Sequence, residues 1–337
     1  MEGLSSMKKN NSLLTKIGDF ENLYSAFKEC SKGKRQKAGY QNFLFNHGEK
    51  LKEIQFELNS NKTFKWAGYR EFEVADPKKR IIMAAPFKDR ILHTAIHRII
   101  GPTVDKTFGA RTYACRDGLG NRNATIRLQR HLEFVGKKRY CIKLDVKQYF
   151  AHIDHNILEK QILNILKDDS IRVLIKDLIA SHPRYKEANC GIPIGNLTSQ
   201  LFANLYLSQM DKLACELLNI DFYDDGEDGD NFYIRYMDDM VIVAQTKEHA
   251  FHCANKLIYY ASEELKLSIP PNKKVILAHD PIPFLGFVIE SDSCRVLARN
   301  KRKLIKKIKR MDKAGVSPSS KEMVLLSYNA WRSLDIN

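Results

Sequence analysis

Two adjacent acids, Asp238 and Asp239, stand in the tetrapeptide Tyr236-Met237-Asp238-Asp239, between an apolar run that starts at Phe232 and a second run from Met240 to Ala244. Ionised carboxylates at such a place cannot be buried without a partner. Either they are solvated turn residues or they hold divalent cations. Asp145 weights the second reading. In Tyr140–Val146, Ile142, Leu144 and Val146 share one face of a strand, and Lys143 and Asp145 share the other. Acids gathered from two strands repel one another unless cations neutralise them. Hard oxygen donors suit Mg²⁺ better than a soft metal. Two such ions about 3.5–4 Å apart would activate a hydroxyl nucleophile and stabilise a leaving pyrophosphate. In phosphoryl transfer the protein mainly positions the reactants and offsets charge. Lys78 and Arg80 are basic groups able to clamp a triphosphate, Arg80 with bidentate geometry.

These residues need strands and turns to hold them. Tyr69–Val74 alternates, Asp76-Pro77 marks a turn, and Arg80–Met83 resumes an extended run, which predicts a hairpin with Lys78 and Arg80 at or just beyond its tip. Phe232–Ala244 predicts a second hairpin with the paired acids at its tip. Residues 284–289 predict a short strand pair. Helical spacing appears in Leu44, Leu51, Ile54 and Leu58, and again in residues 154–166, 170–180 and 246–266. Asp89 is a candidate cap for a helix that Gly101-Pro102 would stop, and Asn196 for a long helix from Leu197 through Leu217. His93 and His97 stand four apart but lack the glutamate of a zinc helix, so packing is the better reading. The acidic loop 221–230 lacks the closing glutamate of a calcium loop and reads as a solvated connection. Residues 299–313 are densely basic around a narrow stripe of Leu304, Ile305, Ile308 and Met311, a helix able to face phosphate.

The chain has 337 residues, 44% hydrophobic and 28% charged, an ordinary globular composition of two or three packed units. Lys plus Arg number 55 against 40 Asp plus Glu, a net charge of +15 that points to a polyanionic partner such as nucleic acid. No apolar run reaches the roughly 18 residues of a membrane span, and the N-terminus lacks a secretory apolar core. Seven scattered cysteines form no C-x-x-C pair, which leaves zinc without support and fits a reducing, cytoplasmic setting. No fixed-period repeat is visible.

Across roughly residues 60–290 the chain resembles a reverse transcriptase through consecutive motifs. RIIMAAPFKDRILHTAI at 80–96 looks like the fingers segment. KLDVKQYF at 143–150 resembles the first palm motif, and YMDD at 236–239 the second. The resemblance implies metal ligation by Asp145, Val146, Asp238 and Asp239, with the three aspartates catalytic, and makes Phe150 the gate against ribose 2′-hydroxyls. GIPIGNLTSQLFANLYL at 191–207 is similar to the template- and nucleotide-contacting motif, with Ile194, Gly195, Ser199 and Gln200 at its key places. Lys273 or Lys274 falls where the family carries a lysine near the leaving phosphate. FLGFVI at 284–289 resembles the primer grip, here Phe284, Leu285 and Gly286. The implied fold class is α+β, a right-hand polymerase with an antiparallel palm sheet, helical and hairpin fingers and a short helical thumb. The expected blocks are 1–138 for an N-terminal extension and fingers, 139–160 and 190–290 for palm, 161–189 for a helical insertion and 291–337 for the thumb.

One departure sorts the branches. Most family members carry Gln-Gly, then Ser-Pro, where this chain has Ile194-Gly195 and Ser199-Gln200. That combination resembles reverse transcriptases of diversity-generating retroelements, which copy inaccurately opposite template adenines. Losing a polar constraint beside the nucleotide lowers discrimination, because unpaired polar groups reject wrong partners most strongly. The resemblance implies two Mg²⁺ ions, with Mn²⁺ able to substitute, and as partners template RNA, RNA/DNA hybrid, dNTPs and a small, basic, pentameric accessory protein. The residues after 290 have room for a short thumb but not for a maturase, endonuclease, RNase H or integrase domain, and the abrupt ending leaves a thumb segment supplied in trans as an expectation. The competing readings are an antiphage-defence reverse transcriptase, an RNA-dependent RNA polymerase, which the bulky Phe150 disfavours, and an inert RNA-binding scaffold. Tyr149, Tyr236 and Phe284 are candidate stacking aromatics.

Overall fold

Alternation from Phe232 to Ala244 becomes an antiparallel hairpin in the computed structural model, which describes residues 12–75, 79–136, 139–224, 226, 229–271, 276–278 and 280–332. The chain divides into two units. The first comprises residues 1–108, 148–208 and 265–267, and the second residues 109–147, 209–264 and 268–337.

In the first unit, β1 (Arg70–Ala75) and β2 (Lys79–Ala84) form the expected hairpin, in register from Arg70 opposite Ala84 to Ala75 opposite Lys79. The rest is helical. The Phe87–Asp105 helix is its centre, packed by the Phe20–Ser31 helix, the His155–Leu166 helix and the Leu197–Tyr206 helix. Its buried set includes Ile91, Leu92, Ala95, Ile96 and Ile100. Two details differ from expectation. The helix runs on through Gly101-Pro102, with Pro102 inside its last turn at the cost of the one bond its missing N–H would have made to the Arg98 carbonyl. Asp89 lies inside the helix, not at its cap. It is fully buried, and one oxygen accepts the Ala67 N–H at 3.0 Å.

The long helix expected from Leu197 breaks at Leu207 into Leu197–Tyr206 and Ser208–Leu218. Asn196 occupies the cap position but makes no capping bond, and its amide donates to the Tyr69 hydroxyl at 3.3 Å. The helical stretch around Leu44–Leu58 is likewise two helices, Ala38–Leu44 and His47–Asn61.

The second unit is built on a four-stranded sheet in the order β4-β5-β3-β6, where β3 is Tyr140–Asp145, β4 Phe232–Tyr236, β5 Asp239–Ala244 and β6 Ile276–Leu277. Every pairing is antiparallel. One face carries Cys141, Phe232, Ile234, Val241 and Val243. It forms a core with Leu128 and Leu132 of the Asn121–Val135 helix and with a three-stranded sheet of β7 (Ile282–Phe284), β8 (Phe287–Ile289) and β9 (Cys294–Val296). The Lys247–Glu263 helix packs on β3 and β5. The 284–289 pair read from the sequence is therefore two strands of three, joined through Leu285 at φ +48° and Gly286 at φ +95°, the positive angles of a tight hairpin turn. The basic Ala298–Lys313 helix ends at Gly315, φ +63°, and Pro318–Arg332 follows as a second helix. No side chain of the basic helix is fully buried.

Candidate active site

Antiparallel register in the second unit brings the three acids to one end of the sheet. Asp145, the last residue of β3, is the direct Cα partner of Asp239, the first residue of β5. Directly opposed residues in such a ladder have Cα atoms about 4.5–5.5 Å apart. Tyr236 pairs with Asp239 on the other side, which leaves Met237 and Asp238 as a two-residue turn. Met237 has φ +55°, the left-handed angle that the first position of this turn demands and that a side chain disfavours. Asp145 is exposed, and Asp238 and Asp239 are half-buried.

Like charges placed opposite each other in a ladder destabilise it. The Lys143 ammonium lies 3.9 Å from an Asp239 oxygen. Among the described residues, no three His, Cys, Asp or Glu side chains are gathered closely enough to hold a metal ion as they stand. The backbone register nevertheless presents hard oxygen donors from two strands and a turn. That donor set fits a divalent cation of the Mg²⁺ type. Val146 has a buried side chain and can offer such an ion only its carbonyl.

Support for the turn comes from residues that the motif pattern did not single out. Arg235 and Asp211 are fully buried and joined by two bonds, Nε to Oδ1 at 2.6 Å and Nη2 to Oδ2 at 2.5 Å. Arg235 Nη1 donates to the Met237 carbonyl at 3.0 Å. Tyr233 and Thr112 hydroxyls donate to Asp211 at 2.7 and 2.9 Å. Burial beside this carboxylate pushes the Tyr233 phenol well above its usual range. The sequence signal was an arginine inside an apolar strand, which demands a buried counter-ion. Its partner, 24 positions upstream, had no local signature.

The 284–286 segment also belongs to this unit. Phe284 is a core side chain, not a stacking platform, because its ring is buried among Cys141, Phe287 and Ile289. Leu285 and Gly286 form the turn itself. Lys143 ties this segment to the acids, since the same ammonium donates to the Pro283 carbonyl at 2.6 Å. Burial raises the Tyr236 phenol, which is half-buried at the end of β4.

The described nucleotide-side candidates lie in the first unit. The Ile194 carbonyl accepts the Met83 N–H at 3.1 Å, so the 191–195 segment is attached to β2, the strand that carries Arg80. Gly195 has φ +115°, and a Cβ there would stand 3.4 Å from Ile82. The Phe150 carbonyl accepts the Ile192 N–H at 2.8 Å, which sets Phe150 beside the same segment. Tyr149 is buried with its hydroxyl on the Ala203 carbonyl and cannot stack on a base. Ser199 is buried and Gln200 half-buried on the Leu197–Tyr206 helix. Arg80 is exposed. Lys78, Lys273 and Lys274 lie outside the described residues.

Residues 73–289, more than half of the chain, match the family described as reverse transcriptase (RNA-dependent DNA polymerase). The COX1/OXI3 intron 2 protein of Saccharomyces cerevisiae is 21% identical over 295 residues, covering 71% of this chain and 34% of that protein. The group II intron-encoded protein LtrA of Lactococcus lactis is 27% identical over 144 residues, 42% of this chain and 24% of LtrA. The chain thus spans about a third or less of these relatives. Apo telomerase from Candida tropicalis superposes with a TM-score of 0.51 at 12% identity, over 69% of this chain and 48% of that one. The α+β architecture is that of a polymerase. Among the described residues no helix is long and apolar enough to cross a membrane.

Proposed function

The chain belongs to the reverse transcriptase family, and from that membership we propose that it copies RNA into DNA, transferring nucleotides from dNTPs to a primer 3′-hydroxyl. The observation that carries this reading is the register of Asp145 against Asp239 with Asp238 in the adjoining turn. Asp145, Asp238, Asp239 and the Val146 carbonyl would hold two Mg²⁺ ions. Bound there, the ions supply nucleophile activation and charge neutralisation at the leaving pyrophosphate. The chain's own residues align the reactants. The Leu285–Gly286 turn supports the primer end, Phe150 occupies the space a 2′-hydroxyl would need, and Arg80, with Lys78 and Lys273, pairs with the triphosphate. The basic Ala298–Lys313 helix offers a face to the RNA/DNA hybrid. The five-block division into fingers, palm and thumb belongs to the same reading, as does a small basic accessory partner.

The test is extension of a DNA primer on an RNA template with Mg²⁺, repeated with Asp238→Ala. Extension by the wild type and a loss of about 10³-fold in the variant are expected, since several kcal/mol of charge stabilisation would go. A chain that binds RNA equally in both forms and extends neither is a scaffold.

Ile194 favours a finer reading, error-prone synthesis for mutagenic retrohoming in a diversity-generating retroelement. Its half-buried aliphatic chain offers shape but no hydrogen bond where a glutamine would offer both. Sequencing products made opposite each template base tests it. Ile194→Gln should lower misincorporation opposite adenine. An unchanged error rate would make Ile194 a packing residue that does not set fidelity; a neighbouring template repeat with adenine-specific differences would separate the retroelement reading from an antiphage-defence one.

A further inference from the structure

We infer that Arg235 and Asp211 form a buried brace whose task is to fix the peptide plane entering Asp238, and so to aim that carboxylate at a divalent cation. The inference rests on the metal reading of Asp145, Asp238 and Asp239 given above.

Stability alone does not account for the pair. Replacing a buried ion pair by apolar side chains is often neutral or stabilising, and Phe232 and Ile234 of the same strand are buried apolar side chains. What the pair adds is direction. The guanidinium is a rigid planar fork. With Nε and Nη2 both committed to the two Asp211 oxygens, the direction of Nη1 is set, and Nη1 meets the Met237 carbonyl at 3.0 Å. That carbonyl shares one planar peptide unit with the Asp238 N–H. Holding the oxygen therefore fixes the plane from which the Asp238 side chain departs.

The brace is itself anchored. Tyr233 and Thr112 hold Asp211. The backbone of Arg235 is clamped as well, its N–H donating to the Arg111 carbonyl and its carbonyl accepting the Tyr113 N–H, both at 3.0 Å. The turn needs this support because Met237 sits at φ +55° without the freedom of a glycine. A lysine at 235 would keep the charge but lose the fork. Arg235 is thus a positioning residue, acting through Met237.

The test compares wild type with Arg235→Lys, with the apolar double variant Arg235→Met/Asp211→Leu, and with Leu257→Ala, a buried change in the Lys247–Glu263 helix that lowers the unfolding temperature without touching the turn. Two readouts need no turnover: Mn²⁺ binding followed by electron paramagnetic resonance without substrates, and amide hydrogen exchange over 236–240. Mn²⁺ affinity should fall about 10- to 100-fold in both brace variants, the range for outer-shell supports of metal ligands. Exchange at the turn should speed up in both, and Leu257→Ala should leave each readout near wild type. The double variant removes both buried charges together, with the Tyr233 and Thr112 hydroxyls losing their acceptor, and serves if the lysine variant does not fold. Brace variants that fold, bind Mn²⁺ as wild type and exchange at wild-type rates overturn the inference. Mn²⁺ bound no better by wild type than by Asp238→Ala overturns the metal reading instead. In that case, turn exchange unchanged in the brace variants removes the brace as well, and accelerated exchange retains it as a support of the turn.

Discussion

Lys143 reaches in two directions from β3: its ammonium lies 3.9 Å from Asp239 and donates to the Pro283 carbonyl at 2.6 Å. Standing two residues before Asp145, it shares that residue's face of the sheet. One cation thus offsets the facing acids and ties them to the strand that leads into the Leu285–Gly286 turn. It also competes with any metal for Asp239.

Lys143→Met should therefore destabilise the metal-free protein more than the Mg²⁺-saturated one. Without metal the acids lose their neighbouring charge and Pro283 loses a donor, together about 1–2 kcal/mol. With Mg²⁺ bound, the first of these losses is largely replaced. Urea unfolding in EDTA and in excess Mg²⁺ measures the difference. An equal loss under both conditions would mean that Lys143 is only a tether to Pro283.

Much of this arrangement was legible because strands report their faces with a period of two. Lys143 and Asp145 alternating with Ile142 and Leu144, and the paired acids between two apolar runs, were enough to anticipate β3 against a hairpin with Asp238 at its tip. Partners far apart in the chain were not legible. Asp211 lies on a helix of ordinary amphipathic pattern, and only folding shows that it receives Arg235, Tyr233 and Thr112. Helix ends misled for a related reason. Gly101-Pro102 and Asn196 carry local signals to stop and to cap, yet packing carries the first helix onward and Tyr69 engages the Asn196 amide. Aromatic roles also depend on burial, which residue type does not disclose: Phe284 and Tyr149 are core.

Phe150 is half-buried, its backbone is held by Ile192 and its ring stands edge-on to Tyr149 at 5.7 Å. Two such constraints leave the ring little room to retreat from a 2′-hydroxyl. If Phe150 is the steric gate proposed above, Phe150→Ala should reduce the preference for dNTPs over ribonucleotides in kcat/KM by about 100-fold. Single-nucleotide extension with matched dCTP and CTP is the measurement. A preference that survives the substitution would place the gate elsewhere.

Gly191 starts the segment that carries Ile194 and cannot accept a side chain. It has φ +95°, and a Cβ would stand 2.5 Å from the Tyr185 ring and 3.0 Å from the Ala151 carbonyl. Its N–H donates to Ile153 at 2.8 Å, and its carbonyl bonds His155 at 2.7 Å, so the backbone cannot move aside. Gly191→Ala should cost more than about 2 kcal/mol, strain plus overpacking. Gly118→Ala carries strain alone, with φ +75° and open space around it, and should cost about 1 kcal/mol. Comparable losses in the two variants on chemical denaturation would contradict the packing argument.

His93 and Asp89 lie one turn apart in the Phe87–Asp105 helix and oppose each other in their pH dependence. Burial lowers His93 to about 3 from 6.5, and its ring bonds the Thr198 hydroxyl at 2.7 Å. Below pH 6.5 the unfolded chain takes up a proton that the folded one refuses, so this contribution is intact above 6.5 and lost as the pH falls toward 3. Burial raises Asp89 to about 6 from 3.8. Between those values the folded chain holds a proton that the unfolded one has released, so this contribution grows as the pH falls from 6 to 3.8. The two slopes, each up to about 1.4 kcal/mol per pH unit, nearly cancel around pH 5. Removing either group should expose the other. His93→Gln should gain stability relative to wild type on acidification from pH 6 to 4.5, and Asp89→Asn should lose it over the same range. Unfolding free energies of the three proteins at half-unit pH steps test this, and difference curves that stay flat would show that neither group titrates where its burial places it.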